Sequence, residues 1–334
     1  MHFSLVKISH PDVPTHGFDD AMLPMFHALR RLGFSVEIRI NEPNPLSRNI
    51  VFGSCTAPRK VGRILPANSI IVNLEQMVPG SLWMNNNYLS HLHDFTVWEY
   101  SESNLEVLHR QGITGAVLVP LGYVPEMTRL RTDFPEDIDV LFYGLVNGRR
   151  ADLLSSLEKR GIRTYIAGGN TFGFARDRLI ARAKIILNIH FIVPARLELV
   201  RLGYIWANKK AVVSERHEQT EVPEYLENAC AYAVYEELEE RVCALLADNA
   251  ARKQQAEKGL ELFAAKRLDE SLKKVVGNRV FAAGGHSLSE SSEGYGNEAG
   301  SLKESSAFHG RGQDHAVPSG VYLPGVSDEW SIVA

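Results

Sequence analysis

Paired cysteines are missing from this chain of 334 residues. Cys55, Cys230 and Cys243 are scattered and form no Cys-x-x-Cys pair, which excludes a disulfide framework and a zinc or dithiol site of that type. No run approaches the roughly 18 uncharged apolar residues that a bilayer-spanning helix needs. The opening Met1-His2-Phe3-Ser4-Leu5-Val6-Lys7 lacks the parts of a secretory signal, so a cytoplasmic location is expected. A dominant charge of one sign is also absent. Lys and Arg number 36 against 40 Asp and Glu, a net charge of −4, which argues against bulk nucleic acid as the main partner. Neither the Gly-x-Gly-x-x-Gly dinucleotide fingerprint nor a Gly-x-x-x-x-Gly-Lys-Ser/Thr phosphate loop occurs, so NAD-type and P-loop chemistries lose their main support.

What is present is a soluble-type composition, 45% hydrophobic and 23% charged, in a length that suits two domains of about 100–150 residues each. Short apolar runs at 3–9, 35–40, 49–54, 69–74, 95–100 and 116–120 read as buried strands, with helices expected at 18–32 and 101–111. Each of those helices stops at a glycine, Gly33 or Gly112, and Pro24 predicts a kink or a later start in the first. A proline-bearing crossover separates this region from a second alternating series. Strands are expected there at 140–143, 164–167, 185–190, 211–214 and 232–235, and helices at 149–160, 175–183, 195–208, 237–246 and through 250–276. The expected fold is α/β: two Rossmann-like, doubly wound parallel-sheet domains facing a cleft. The domain reading is an acceptor-side domain over 1–125, a linker over 126–137, a donor domain over 138–277 and a Ser/Gly-rich flexible tail over 278–334.

Ligands of such sheets bind outside the carboxyl ends of the strands. At the start of the second domain, Phe142-Tyr143-Gly144-Leu145-Val146-Asn147-Gly148-Arg149-Arg150 runs from strand through loop to helix. Its glycines allow close backbone approach and its arginines suit a phosphate; a plain strand-to-helix turn with a solvated Arg pair is the competing reading. Ile189-His190-Phe191-Ile192-Val193-Pro194-Ala195-Arg196-Leu197-Glu198 follows a buried strand that delivers Asn188 and His190 towards a helix led by Pro194. The amides of that turn and Arg196 favour an anion, and Glu198 can accept hydrogen bonds from ribose or sugar hydroxyls. The bland alternative makes Arg196, Glu198 and Arg201 surface ion pairs at helical spacing.

Several segments, in order, resemble GT-B glycosyltransferases, the large group-one family and its spore-maturation-like relatives, over residues 1–275. They are Leu29-Arg30-Arg31-Leu32-Gly33-Phe34-Ser35-Val36; the crossover Val119-Pro120-Leu121-Gly122-Tyr123-Val124-Pro125; the strand entering Gly144; Trp206-Ala207-Asn208-Lys209-Lys210-Ala211-Val212-Val213-Ser214; and the stretch from Glu237-Leu238 to Ala247-Asp248. The resemblance implies a sugar transferase acting on a nucleotide-sugar donor held by the second domain. Its donor-binding candidates are Gly144, Asn147, Arg149, Arg150, Asn188, His190, Arg196, Glu198 and Arg201. Many retaining members carry two glutamates with seven residues between them. Here His190 occupies the upstream slot relative to Glu198, which leaves the stereochemistry open.

On the acceptor side, the resemblance places a base in the loop after the first strand, where His16 has the intrinsic pKa range to take a hydroxyl proton and Asp19 stands beside it. Glu75, at the end of another strand, is the third catalytic candidate. The transfer is expected to need no metal and no cofactor, with arginines and a helix N-terminus stabilising the leaving diphosphate. The expected partners are the nucleotide-sugar and a sugar, lipid-linked or protein acceptor, with no nucleic acid and with room for peripheral contact at the inner membrane face. A nucleotide-sugar epimerase and a noncatalytic nucleotide-sugar or glycan-binding module are the competing functions, since this architecture hosts several activities.

Overall fold

The computed structural model of the chain describes residues 1–9, 15–57 and 64–277, so the expected tail over 278–334 lies outside the described residues. In the first part, β1 (His2–Lys7), β2 (Ser35–Ile40), β3 (Arg48–Phe52), β4 (Ile70–Asn73), β5 (Thr96–Glu99) and β6 (Ala116–Leu118) form one parallel sheet in the order β2-β1-β3-β4-β5-β6. Period-two alternation explains its two covered faces. Phe3, Leu5, Ile50, Phe52, Ile70 and Val72 enter one core with Met22, Met25 and Leu29 of helix α1 (Asp19–Arg31), while Val6, Val51 and Ile71 enter another. That second core is closed by Tyr88 and Leu92 of α2 (Asn86–Asp94) and Leu108 of α3 (Glu102–Arg110).

The second sheet contains β7 (Ile138–Tyr143), β8 (Thr164–Ala167), β9 (Ala183–Asn188), β10 (Ala211–Glu215) and β11 (Ala231–Ala233), all parallel, in the order β11-β10-β9-β7-β8. Helices α4 (Gly148–Lys159), α5 (Gly173–Arg182), α6 (Leu199–Ala207), α7 (Leu238–Ala247) and α8 (Asn249–Ala264) complete it. Winding reverses between β1 and β3 in the first sheet and between β7 and β9 in the second, the switch points at which doubly wound sheets open a crevice. Among the described residues no helix is long and apolar enough to cross a membrane.

Two crossings join the halves. The outward one is pinned by Asn208, whose carboxamide accepts from the amides of Arg129 at 2.8 Å and Leu130 at 2.9 Å and donates to the Met127 carbonyl at 2.9 Å. The return crossing leads to α9 (Leu268–Gly277), which packs back on α1 in the first domain. It is held by Tyr123 N–H to the Lys266 carbonyl at 2.8 Å and Leu268 N–H to the Tyr123 carbonyl at 3.1 Å. A Cβ on Gly122 would stand 2.5 Å from that Lys266 carbonyl, so this close passage requires glycine.

Two local features differ from the sequence expectations, while helix α1 starts at Asp19 and runs through Pro24. Helix α2 adds an element in the 75–95 stretch, started by Asn85, whose side chain accepts from Tyr88 N–H. Helix α6 begins at Leu199 rather than 195. The backbone at 195 and 196 is spent elsewhere: Ala195 O accepts from Thr220 Oγ1 at 3.0 Å and Arg196 N–H donates to Gln76 Oε1 at 2.9 Å.

Candidate functional site

The switch points face each other across a hollow of about 240 Å³ lined by Gly17, Asp20, Leu74, Gln76 and Tyr100 from the first domain and by Tyr143, Gly144, Gly168, Gly169, Phe172, Arg176 and Glu198 to Arg201 from the second. Its floor is the end of β7. Gly144 has φ +135°, and a Cβ there would stand 3.3 Å from Arg201 Nη2 and 3.9 Å from Arg150 Nη1. Glycine therefore lets a ligand come close to the backbone beside the Arg201 guanidinium, the Gly144 N–H itself being donated to the Ala167 carbonyl at 3.3 Å. Arg201 donates to the Tyr143 carbonyl at 2.6 Å and lies over the Tyr143 ring, while its Nε pairs with Glu198 at 3.0 Å. Glu198 also stands 3.8 Å from Arg150 Nη2, so one carboxylate balances two cations. Burial pushes the Tyr143 hydroxyl up to about 12, keeping it a neutral donor. The first turn of α6 forms an adjoining wall: Leu199 N–H donates to the Leu197 carbonyl at 2.7 Å, and the amides of Val200 and Arg201 follow it with no helical carbonyl to meet.

The other donor candidates lie behind this wall or beside it. Arg150 is 3% exposed and donates to the carbonyls of Leu145 at 2.7 Å and of Ile189; burial drops its pKa to about 10. Arg149 faces a separate hollow of about 340 Å³, where it binds Glu215 through both arms and stacks on Tyr235. Asn147 caps α4, accepting from Arg150 N–H, and ties the 191 loop by donating to the Phe191 carbonyl at 2.8 Å. Asn188 is fully buried and donates to Ser214 Oγ at 3.2 Å. His190 is fully buried, with neither ring nitrogen hydrogen-bonded among the described residues, and burial lowers its pKa, so the ring is neutral. Arg196 crosses to the first domain, where its Nε donates to Asn104 Oδ1 at 3.1 Å. Of the nine donor candidates, the structure thus brings Gly144, Glu198 and Arg201 to the interdomain hollow and places the others around it.

On the acceptor side, His16 Nδ1 lies 3.2 Å from Asp19 Oδ2, and Asp19 Oδ1 accepts from the Lys7 ammonium at 2.8 Å. Lys7 is buried at the end of β1 while the His16 side chain is half-exposed at the rim, 5.9 Å between centroids from the Phe172 ring of the other domain. An imidazole, a carboxylate and an ammonium group thus stand in series. Glu75 turns away from the hollow: its Oε1 accepts from the Cys55 thiol at 3.1 Å, and burial raises its pKa; its neighbour Gln76 takes the lining position.

Sequence reasoning missed several residues. Arg176 and Asp20 form a two-armed ion pair across the rim. Glu99, fully buried at the end of β5, is pushed to about 7 by burial against donors from Asn73, Ser101 and Asn104. The signal for Glu99 was its position, a carboxylate ending a buried strand; nothing in the sequence sets Arg176 apart from Arg178 or Arg182. An Asp-x-Asp spacing, Asp137-Ile138-Asp139, also escaped that reading. It lies at the start of β7, the end of the strand remote from Gly144, with Asp137 paired to Arg182 at 2.6 Å and Asp139 to Arg163 at 2.9 Å and Lys184 at 2.7 Å.

Two parallel sheets wound in this way, with a hollow between their switch points and a final helix returning to the first, make up the GT-B fold. Solved structures share it over most of the chain. WaaG, a glycosyltransferase involved in lipopolysaccharide biosynthesis, matches with TM-score 0.53 and 11% identity over 82% of this chain and 98% of that one. HepE from Anabaena, solved with UDP, matches with TM-score 0.54 and 11% identity over 83% and 100%. An alpha-glucosyltransferase, solved with UDP and a 13-mer DNA containing a HMU base, matches with TM-score 0.54 and 9% identity over 82% and 98%. In sequence, 128 residues are 28% identical to uncharacterized protein L140 of Acanthamoeba polyphaga mimivirus, a match covering 37% of this chain and 40% of that protein. No family model matches the sequence.

Proposed function

We propose that the chain is a glycosyltransferase that moves a sugar from a nucleotide-activated donor to a hydroxyl of a sugar, lipid-linked or protein acceptor. The observation that carries this reading is the convergence of Gly144, Arg201 and the first turn of α6 on one hollow at the switch point of the second sheet. That combination supplies a close backbone, a guanidinium fork and unpaired amides to a diphosphate. Fold neighbours solved with UDP support the same reading.

In this reading the donor diphosphate lies against Gly144 and Arg201, with Glu198 at the ribose or sugar hydroxyls. His16, across the rim, takes the proton from the acceptor hydroxyl as the glycosidic bond forms. Asp19 holds its ring and is itself held by Lys7, while the arginines and the helix N-terminus stabilise the departing diphosphate. Closure of the two domains excludes water and aligns the substrates. The reaction asks for no cofactor and no metal, and the protein acts in the cytoplasm.

Calorimetry against UDP-, GDP-, ADP- and CMP-linked sugars tests the donor site, and nucleoside diphosphate release with mixed acceptors, with and without EDTA, tests the transfer. Binding without release in any acceptor mixture would leave a noncatalytic binding module. Donor conversion without an acceptor would make it an epimerase.

A further inference from the structure

Arg176 has surroundings that a structural arginine does not need. Its side chain is 3% exposed yet lines the interdomain hollow, and its Nε has no hydrogen-bond partner among the described residues. The two terminal nitrogens are taken by Asp20 of the opposite domain, Nη2 to Oδ1 at 2.9 Å and Nη1 to Oδ2. Its plane lies near the rings of Tyr143 at 5.8 Å and Tyr204 at 4.9 Å, and Asp177 Oδ1 stands 3.5 Å away. Burial works against the charge, but the Asp20 carboxylate outweighs it and holds the guanidinium ionised.

A two-armed carboxylate is the closest side-chain imitation of a phosphate on a guanidinium fork. Asp20 also lines the hollow itself, and its side chain keeps some exposure to solvent there. It can release Arg176 without becoming a stranded buried ion. A buried ion pair of this kind contributes little net stability against apolar packing, so interdomain adhesion alone does not account for it.

We propose that Asp20 is a surrogate anion, competing with the donor's diphosphate for Arg176, so that donor binding transfers this guanidinium from the first domain to the ligand. This rests on the donor-site reading above. It makes Arg176 a ligand-binding residue, and it couples occupancy of the hollow to the interdomain contact.

The test is calorimetry on the full chain with UDP and with inorganic pyrophosphate, comparing wild type, Asp20→Asn and Arg176→Gln. Competition predicts opposite signs: Asp20→Asn binds both probes about tenfold tighter, and Arg176→Gln binds them about tenfold weaker. A plain strut between the domains predicts weaker binding in both variants. Unchanged or weaker binding by Asp20→Asn, with wild type still binding UDP, overturns the competition and leaves the donor reading intact. No binding of UDP, GDP, ADP or pyrophosphate by wild type or Asp20→Asn overturns both. If Arg176→Gln does not fold, the near-isosteric Asp20→Asn decides the matter alone.

Discussion

Arg149 binds Glu215 through both arms of its guanidinium, at 2.7 Å to each carboxylate oxygen, beside a hollow distinct from the interdomain one. Glu215 is 2% exposed; burial opposes its charge, and the Arg149 fork and His190 together outweigh burial and hold its carboxyl below the usual range. Removing Arg149 therefore strands a buried carboxylate that also accepts from His190 N–H at 2.8 Å. Arg149→Ala is expected to cost about 3 kcal/mol in chemical denaturation, and the double variant Arg149→Met, Glu215→Met to recover most of it. A single variant as stable as wild type would contradict the pairing.

Gly144 carries the opposite kind of prediction, one about binding. A side chain there meets Arg201 and must adopt φ +135°, at a cost of about 1 to 2 kcal/mol. Gly144→Ala should fold, with a modest drop in melting temperature, and lose UDP binding in calorimetry. Retained affinity would remove the end of β7 from the donor site.

The alternating strands and helices of two parallel-sheet domains and the glycine ending β7 were legible because strand alternation and backbone punctuation are local signals, whereas strand order is set by long-range pairing. The start of α6 was not legible. Pro194 looks like a first helical residue in sequence, whereas Arg196 N–H is captured by Gln76, 120 positions away, and the helix waits until Leu199. Arg149 and Arg150 read alike for the same reason: which of two adjacent cations meets Glu215 and which meets two carbonyls depends on long-range packing. Glu198 read as a helical residue, whereas it precedes the helix and lines the interdomain hollow.

Glu99 makes stability depend on pH. Its pKa is raised from 4.5 to about 7 in the folded chain, so the folded state holds a proton that the unfolded state releases. The associated stabilisation is complete below the unfolded pKa and is lost as pH rises through about 7. Relative to Glu99→Gln, which cannot titrate, the wild-type chain should lose about 2 kcal/mol between pH 5 and pH 8 in matched denaturant titrations. A difference that stays constant across that interval would show that Glu99 ionises normally.

His16 is the group whose removal should separate chemistry from binding. Its ring is half-exposed and held by one carboxylate, so His16→Ala leaves the core and the donor hollow untouched. A general base in this position predicts a fall in kcat of about 100-fold or more with donor Kd unchanged. Lys7→Met keeps the imidazole but frees the Asp19 oxygen that Lys7 holds at 2.8 Å. It should lower kcat less than His16→Ala does, because the orienting carboxylate remains while its counter-charge is lost. If both variants keep wild-type kcat, the proton of the acceptor hydroxyl goes elsewhere and the rim of the first domain only positions substrate.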